Sequence, residues 1–173
     1  MNTEEILTLA AQVVSAWDWT STTERTGRNQ LNVKITSLAE LHPVVVGLRV
    51  QRLGYLSSIV GLDLGPDANE MEVVYFFCPG DAVIALRVRV PRQGAVLPSL
   101  SDVIPSAEVF ERELREMFGI EISGLRNPSH LYLPDDWPGD TFPLRKDFDP
   151  SVLTGNIYPA NTTAADDTRS ERN

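Results

Sequence analysis

The chain has 173 residues, 42% of them hydrophobic, enough for one compact domain with a real core and too many for global disorder. Fifteen Lys and Arg stand against 24 Asp and Glu, a formal charge of −9 that argues against nucleic-acid binding by phosphate neutralisation and disfavours contact with anionic lipid. Cys78 is the single cysteine, so the chain can form no internal disulfide and cannot by itself hold an iron–sulfur cluster, which takes about four thiolates.

In chain order, the N-terminus is acidic and lacks the basic start of a secretory signal. From residue 3 to 18, Ile6, Leu7, Ala10, Ala11, Val14 and Trp17 recur at helical spacing, with Glu4 and Glu5 in the first turn. A polar, turn-like stretch covers 18–29. Leu31, Val33 and Ile35 then alternate with Asn32 and Lys34, the pattern of a half-buried strand. Pro43 is read as opening a second helix through Arg52. Residues 55–62 supply a further strand. Residues 72–78 form a dense β-forming run in which Cys78 reads as an inert, buried thiol. In 83–90, Ile84, Leu86, Val88 and Val90 face one way and Arg87 and Arg89 the other. Pro79-Gly80-Asp81 is a turn signal, so these last two strands pair as a hairpin.

Residues 91–105 read as loop, and 106–118 as the best helix in the sequence, stopped by Gly119. Beyond Ile122, Pro128, Pro134, Pro138 and Pro143 block regular structure. The expected fold is α+β: a mixed or antiparallel sheet with packed helices, followed by an irregular, proline-rich C-terminal extension. Residues 1–105 form the core domain. Residues 106–150 add a signature helix and docking loop to that same domain, and 151–173 are expected to be a flexible or partner-wrapping tail. No apolar run reaches the ~18–20 residues that span a bilayer. The expectation is therefore a cytoplasmic protein with no direct lipid insertion.

On a helical wheel, Ala107, Phe110, Leu114, Met117 and Phe118 share one apolar stripe. Arg112 lies nearly opposite, with Glu108 and Glu116 at i±4, and Glu111 can pair with Arg115. Glu113 is the exception, since its i±4 neighbours are Val109 and Met117. Two readings stand: a carboxylate solvated at the core boundary, or one that receives an Arg, best supplied by Arg145 within Pro143-Leu144-Arg145-Lys146-Asp147. The loop from Pro134 to Phe148 combines prolines with Trp137 and Phe142, which serve either as buried anchors or as part of a protein–protein surface.

Four segments occur in order: Phe110-Glu111-Arg112-Glu113, Met117-Phe118-Gly119-Ile120, Leu133-Pro134-Asp135-Asp136-Trp137 and Pro143-Leu144-Arg145-Lys146-Asp147-Phe148. Together they resemble the 30-kDa subunit family of NADH-quinone oxidoreductase, respiratory complex I. The same module occurs in membrane-bound, energy-converting [NiFe] hydrogenases. The resemblance implies a cofactor-free structural subunit of the hydrophilic arm, peripheral on the cytoplasmic face of the membrane. Iron–sulfur clusters, and FMN or a NiFe centre, would belong to other subunits. The implied partners are a large quinone-cavity or NiFe-type subunit, a small iron–sulfur subunit and, through the complex, the membrane arm. By the same resemblance, Glu111, Arg112, Glu113, Phe118, Gly119, Trp137, Pro143, Leu144, Arg145, Lys146 and Asp147 make the subunit interface. Many relatives carry Gly-His-Pro after the Phe-Gly-Ile segment, where this chain has Gly124-Leu125-Arg126-Asn127-Pro128. The spacing from Trp137 to Pro143 is also closer to hydrogenase-type members, which leaves the parent complex open.

The competing reading is a stand-alone metal-dependent hydrolase using Asp135, Asp136 and Asp140, with Asp147 nearby. Against it, these residues have no EF-hand spacing, and Asp beside Pro or Gly is common in turns. His42 and His130 sit in no HExxH-type pattern and read as structural or surface residues. No glycine pattern for a nucleotide is present.

Overall fold

The computed structural model describes residues 1–16 and 21–153. Helix α1 (Thr3–Ser15) opens on a capping box, in which Asn2 and Glu5 each accept the other's backbone N–H at 2.9 Å. Ile6, Leu7, Ala10 and Val14 are its buried stripe. Trp17 and Asp18, expected at its end, lie outside the described residues. Strand β1 (Thr22–Arg25) falls in the stretch read as a turn. All four of its residues are exposed, so it has no alternation to betray it. Strand β2 (Gln30–Ile35) alternates as expected.

Helix α2 (Leu38–Val50) begins at Leu38 and carries Pro43 inside it, not at its start. Leu41, Val44, Val45 and Leu48 make a continuous buried stripe, and Pro43 sits on the exposed side. The packing of that stripe outweighs the backbone hydrogen bond that proline removes. Strands β3 (Tyr55–Asp63), β4 (Glu70–Cys78) and β5 (Val83–Pro91) follow.

The five strands form one sheet in the order β1-β2-β5-β4-β3. β4 and β5 are the expected antiparallel hairpin and β3 pairs with β4, but β2 runs parallel to β5, so the sheet is mixed. Register aligns Val33, Leu86, Tyr75 and Ile59 in one row across it, all buried. That face is covered by α1 and α2 over the β2 side and by helix α3 (Ala107–Phe118) over β3. Gly61 makes the last contact possible: a Cβ there would lie 2.6 Å from the Phe118 ring and 2.9 Å from Leu114. The opposite face carries a polar ladder, with Arg87 donating to Glu72 at 2.7 Å and to Asn32 at 3.2 Å, and Arg89 pairing with Glu70 at 3.1 Å.

Strands β6 (Val96–Pro98) and β7 (Glu121–Ser123) make a separate parallel pair. β6 lies in the segment expected to be loop; three residues are too few to show a period. After β7 the chain is irregular until a single 3-10 turn at Pro150–Leu153.

Candidate docking surface

Helix α3 is held between the sheet and the loop that follows it. Its sheet side buries Ala107, Leu114 and Phe118, with Phe110 and Met117 partly buried alongside, as the wheel predicts. The charged residues behave differently from expectation. Glu111 does not pair with Arg115: it lies on the sheet side, 2% exposed. Its carboxylate accepts the Leu100 N–H and, at 2.7 Å, the Ser99 hydroxyl, fixing the segment after β6. Desolvation pushes Glu111 above the ordinary carboxylate range, and the two hydrogen bonds only partly offset it.

Arg112 pairs with neither Glu108 nor Glu116. It donates to the Ser129 carbonyl at 3.1 Å and the His130 carbonyl at 2.6 Å, while Arg115 donates to the Pro128 carbonyl at 2.6 Å. Glu116, also buried, accepts the N–H groups of Leu131 (3.1 Å), Tyr132 (3.0 Å) and Leu133 (2.7 Å). His130 Nδ1 lies 3.0 Å from the same carboxylate and must donate, because an ionised carboxylate only accepts. Burial alone would raise Glu116, but these donors together hold it below its ordinary value. Residues 128–133 have no regular structure, and three side chains one turn apart on α3 satisfy their backbone instead. Intrahelical pairs would contribute roughly 0.2–0.5 kcal/mol each; hydrogen bonds to charged groups contribute about 1.5–3 kcal/mol, so the loop wins them.

The C-terminal end of α3 anchors the second half of the loop. Gly119 is left-handed, with φ 70°, and its N–H caps the Arg115 carbonyl. The Leu144 N–H reaches the Met117 carbonyl at 3.1 Å, and Arg145 Nε the Phe118 carbonyl at 2.8 Å. These are carbonyls that the helix leaves without internal partners, and a cation there complements the helix dipole. Arg145 also sits 4.4 Å from the Phe142 ring centroid. Glu113 therefore does not receive Arg145. It is partly buried, and among the described residues it has no ion-pair or hydrogen-bond partner. The Phe142 ring in turn covers Gly119 so closely that a Cβ there would come within 2.4 Å.

Asp147 and the backbone of Lys146 fasten the loop to the sheet through two residues the sequence did not flag. Arg92, just after β5, makes a bidentate pair with Asp63 at the end of β3, both distances 3.0 Å. Asp147 closes on the other side of the same guanidinium, and Lys146 N–H donates to Asp63 at 2.8 Å. Hydrogen bonds from Arg92 hold both carboxyls below the usual range, despite the burial of Asp63. Asp63 and Arg92 escaped notice because the partners are 29, 55 and 83 positions apart, and no local spacing marks such a cluster.

Trp137 is partly buried, stacked on Phe148 with centroids 6.5 Å apart, and donates to the Thr141 carbonyl at 2.8 Å. With Phe142 and partly buried Pro143 it makes the loop a rigid ledge rather than a strap, and Leu144 stands 52% exposed upon it. A cleft of about 600 Å³ opens between α3 and this ledge, lined among others by Glu121, Asp135, Trp137 and Asp140. Asp135, Asp136 and Asp140 are exposed, and among the described residues no three His, Cys, Asp or Glu side chains converge on a position that could hold a metal. Cys78 is partly buried at the end of β4.

Residues 33–152 match the family model for the respiratory-chain NADH dehydrogenase 30 kDa subunit. The chain belongs to that family. Formate hydrogenlyase subunit 5 of Escherichia coli is 35% identical over 139 residues, 79% of this chain but 23% of the relative. An NADH-quinone oxidoreductase subunit of Salinispora tropica is 33% identical over 125 residues, 70% of this chain and 50% of the relative. Among solved structures, a trypsin-resistant fragment of Nqo5 superposes with a TM-score of 0.57 and 26% identity, covering 73% of this chain and 99% of the fragment. The chain thus spans between about a quarter and a half of these curated relatives, and in the hydrogenlyase protein the shared module is part of a much longer polypeptide. The family match contains the whole of α3 and the loop. Among the described residues no helix is long and apolar enough to cross a membrane.

Proposed function

We propose that the chain is a structural subunit of the hydrophilic arm of a membrane-bound, complex I-like NADH-quinone oxidoreductase, on the cytoplasmic face of the membrane. In this reading it holds no redox centre of its own. The iron–sulfur clusters and FMN reside in partner subunits, and this chain supports electron transfer to quinone by assembly alone. The large subunit that forms the quinone cavity docks on the α3 and loop face, with the small iron–sulfur subunit beside it.

One observation supports this most: five charged side chains of the signature helix and loop are consumed in shaping that loop, not in lining a reaction site. Arg112, Arg115, Glu116, Arg145 and Asp147 each bind loop backbone, the helix end or Arg92. Side chains so committed make a preformed surface, which lowers the ordering cost of docking a partner. A second reading, the equivalent subunit of a group 4 membrane-bound [NiFe] hydrogenase or hydrogenlyase-type complex, is favoured by the match to formate hydrogenlyase subunit 5. Affinity purification of the tagged chain in mild detergent tests both. Co-recovery of iron–sulfur and membrane subunits with NADH:quinone activity supports the first reading, and hydrogen evolution by the same particle supports the second. Recovery of the chain alone, with a hydrolase activity, would overturn both.

A further inference from the structure

Glu113 lies partly exposed at the edge of the α3 face that packs on the core. Along that edge Val109, Glu113 and Met117 follow one another at i+4, with Phe110 alongside. Val109 is 46% exposed, Phe110 and Met117 are partly buried, and Leu144, bound through its N–H to the Met117 carbonyl, adds 52% exposed surface at the helix end. The patch is therefore apolar around one carboxylate. Among the described residues no cation serves it. The i±3 and i±4 positions are Val109, Phe110, Glu116 and Met117, the helix's two arginines are bound to loop carbonyls, and Arg145 is bound to Phe118.

A partly buried acid ringed by apolar groups is tolerable while water reaches it. Covering the patch with an uncharged surface would strand the carboxylate without a partner, which is costly. A protein that covers this face has to bring hydrogen-bond donors to Glu113, which a cation supplies together with the compensating charge, and apolar side chains to Val109 and Met117. From this we infer that the exposed face of α3 is the contact for a basic side chain of the partner subunit, an arginine framed by apolar residues, with Glu113 as its counter-ion. Arginine fits better than lysine, since its planar fork binds a carboxylate in two places and its weakly hydrated face packs on apolar surface. The overall charge of −9 favours encounter with such a partner. This inference rests on the subunit reading above and adds the chemistry of one contact.

The test uses the full chain, tagged and expressed in its own cells in place of the native copy, with Glu113→Lys, Glu113→Gln and Asp81→Lys compared with the unaltered protein. Asp81 is exposed in the β4–β5 turn, and its variant makes the same change of charge away from the patch. Glu113→Lys should cut recovery of the complex about tenfold or more, the effect of losing an interface hot spot, with Glu113→Gln intermediate and Asp81→Lys unchanged. Thermal unfolding of the purified chain should be the same for all, since Glu113 has no partner among the described residues. A photo-crosslinker placed at Val109 should capture a partner peptide containing arginine. Undiminished recovery with Glu113→Lys, equal loss with Asp81→Lys, a captured peptide without a basic residue, or a matching drop in the stability of the isolated chain would each overturn the inference. Failure of the unaltered chain to bring down any redox subunit would instead remove the reading on which it rests.

Discussion

Replacing Arg92 by Met removes the cation that joins β3, β5 and the loop. Its side chain is 5% exposed and that of Asp63 is 1% exposed. Without the guanidinium, Asp63 keeps only the N–H groups of Gly65 and Lys146, at 2.9 and 2.8 Å. Removing one member of a buried pair while the other stays charged costs about 3–5 kcal/mol. For a chain of this size each kcal/mol moves the melting temperature by about 2–4 °C, so Arg92→Met should lower it by about 6–20 °C. Asp147 is different, since its side chain is 53% exposed. Asp147→Asn leaves the inner pair intact and should cost about 1 kcal/mol or less. In an Arg92→Met background Asp147→Asn should add almost nothing, because its guanidinium partner is already gone. Thermal unfolding followed by circular dichroism, with denaturant titration for the free energies, measures all three. An Arg92→Met penalty below about 1 kcal/mol, or equal penalties for Arg92 and Asp147, would refute the clamp.

Gly119→Ala should be worse than Gly124→Ala although both residues have positive φ, 70° and 85°. A Cβ at 124 meets nothing nearer than 3.8 Å, whereas at 119 it strikes the Phe142 ring. Both should cost about 1–2 kcal/mol of backbone strain, and Gly119→Ala about 1–3 kcal/mol more from overpacking, read by denaturant titration. Glu116→Gln should accelerate hydrogen exchange at Leu131, Tyr132 and Leu133 while the amides of α3 stay protected, since one amide oxygen cannot replace a carboxylate that accepts from all three. The acid side of the stability curve has opposed contributions. The lowered Asp63, Asp147 and Glu116 stabilise above their unfolded values of 3.8, 3.8 and 4.5, and this is lost as pH falls through their lower folded values. Glu111 is raised, so ionising it opposes folding, and stability increases as pH falls through its folded value toward 4.5. Stability should therefore peak at mildly acid pH, and Glu111→Gln should remove the rise on the approach from neutral without touching the fall at lower pH.

The strands whose alternation spans six or more residues, and the α3 stripe from Ala107 to Phe118, were legible because one face of each is buried and period alone reveals that. β1 and β6 were not, the first because nothing in it is buried and the second because it has three residues. α2 was misplaced by giving Pro43 more weight than the buried stripe around it. Within the candidate site, the residues flagged by resemblance lie on α3 and the loop, but their pairings did not follow helical spacing. Glu111, Arg112 and Glu116 had neighbours of opposite charge within reach on the helix, yet each binds backbone from elsewhere in the chain. Unsatisfied loop N–H and carbonyl groups compete for those charges and prevail over surface ion pairs, a demand invisible until the fold brings 99–100 and 128–133 against α3. Asp63 and Arg92 carried no signal at all.

The most direct test of the central claim, that the α3 and loop face is where the rest of the complex docks, is oxidative footprinting of the chain alone and within the purified particle. Met117, Tyr132 and Trp137 report on that face, and Tyr55, 64% exposed at the start of β3, reports on a surface shared with Met1, Arg49 and Gly80, away from Gly61 where α3 packs. The account expects the first three to lose reactivity on assembly, with Tyr55 unchanged. Protection of Tyr55 with undiminished reactivity at Met117, Tyr132 and Trp137 would contradict it.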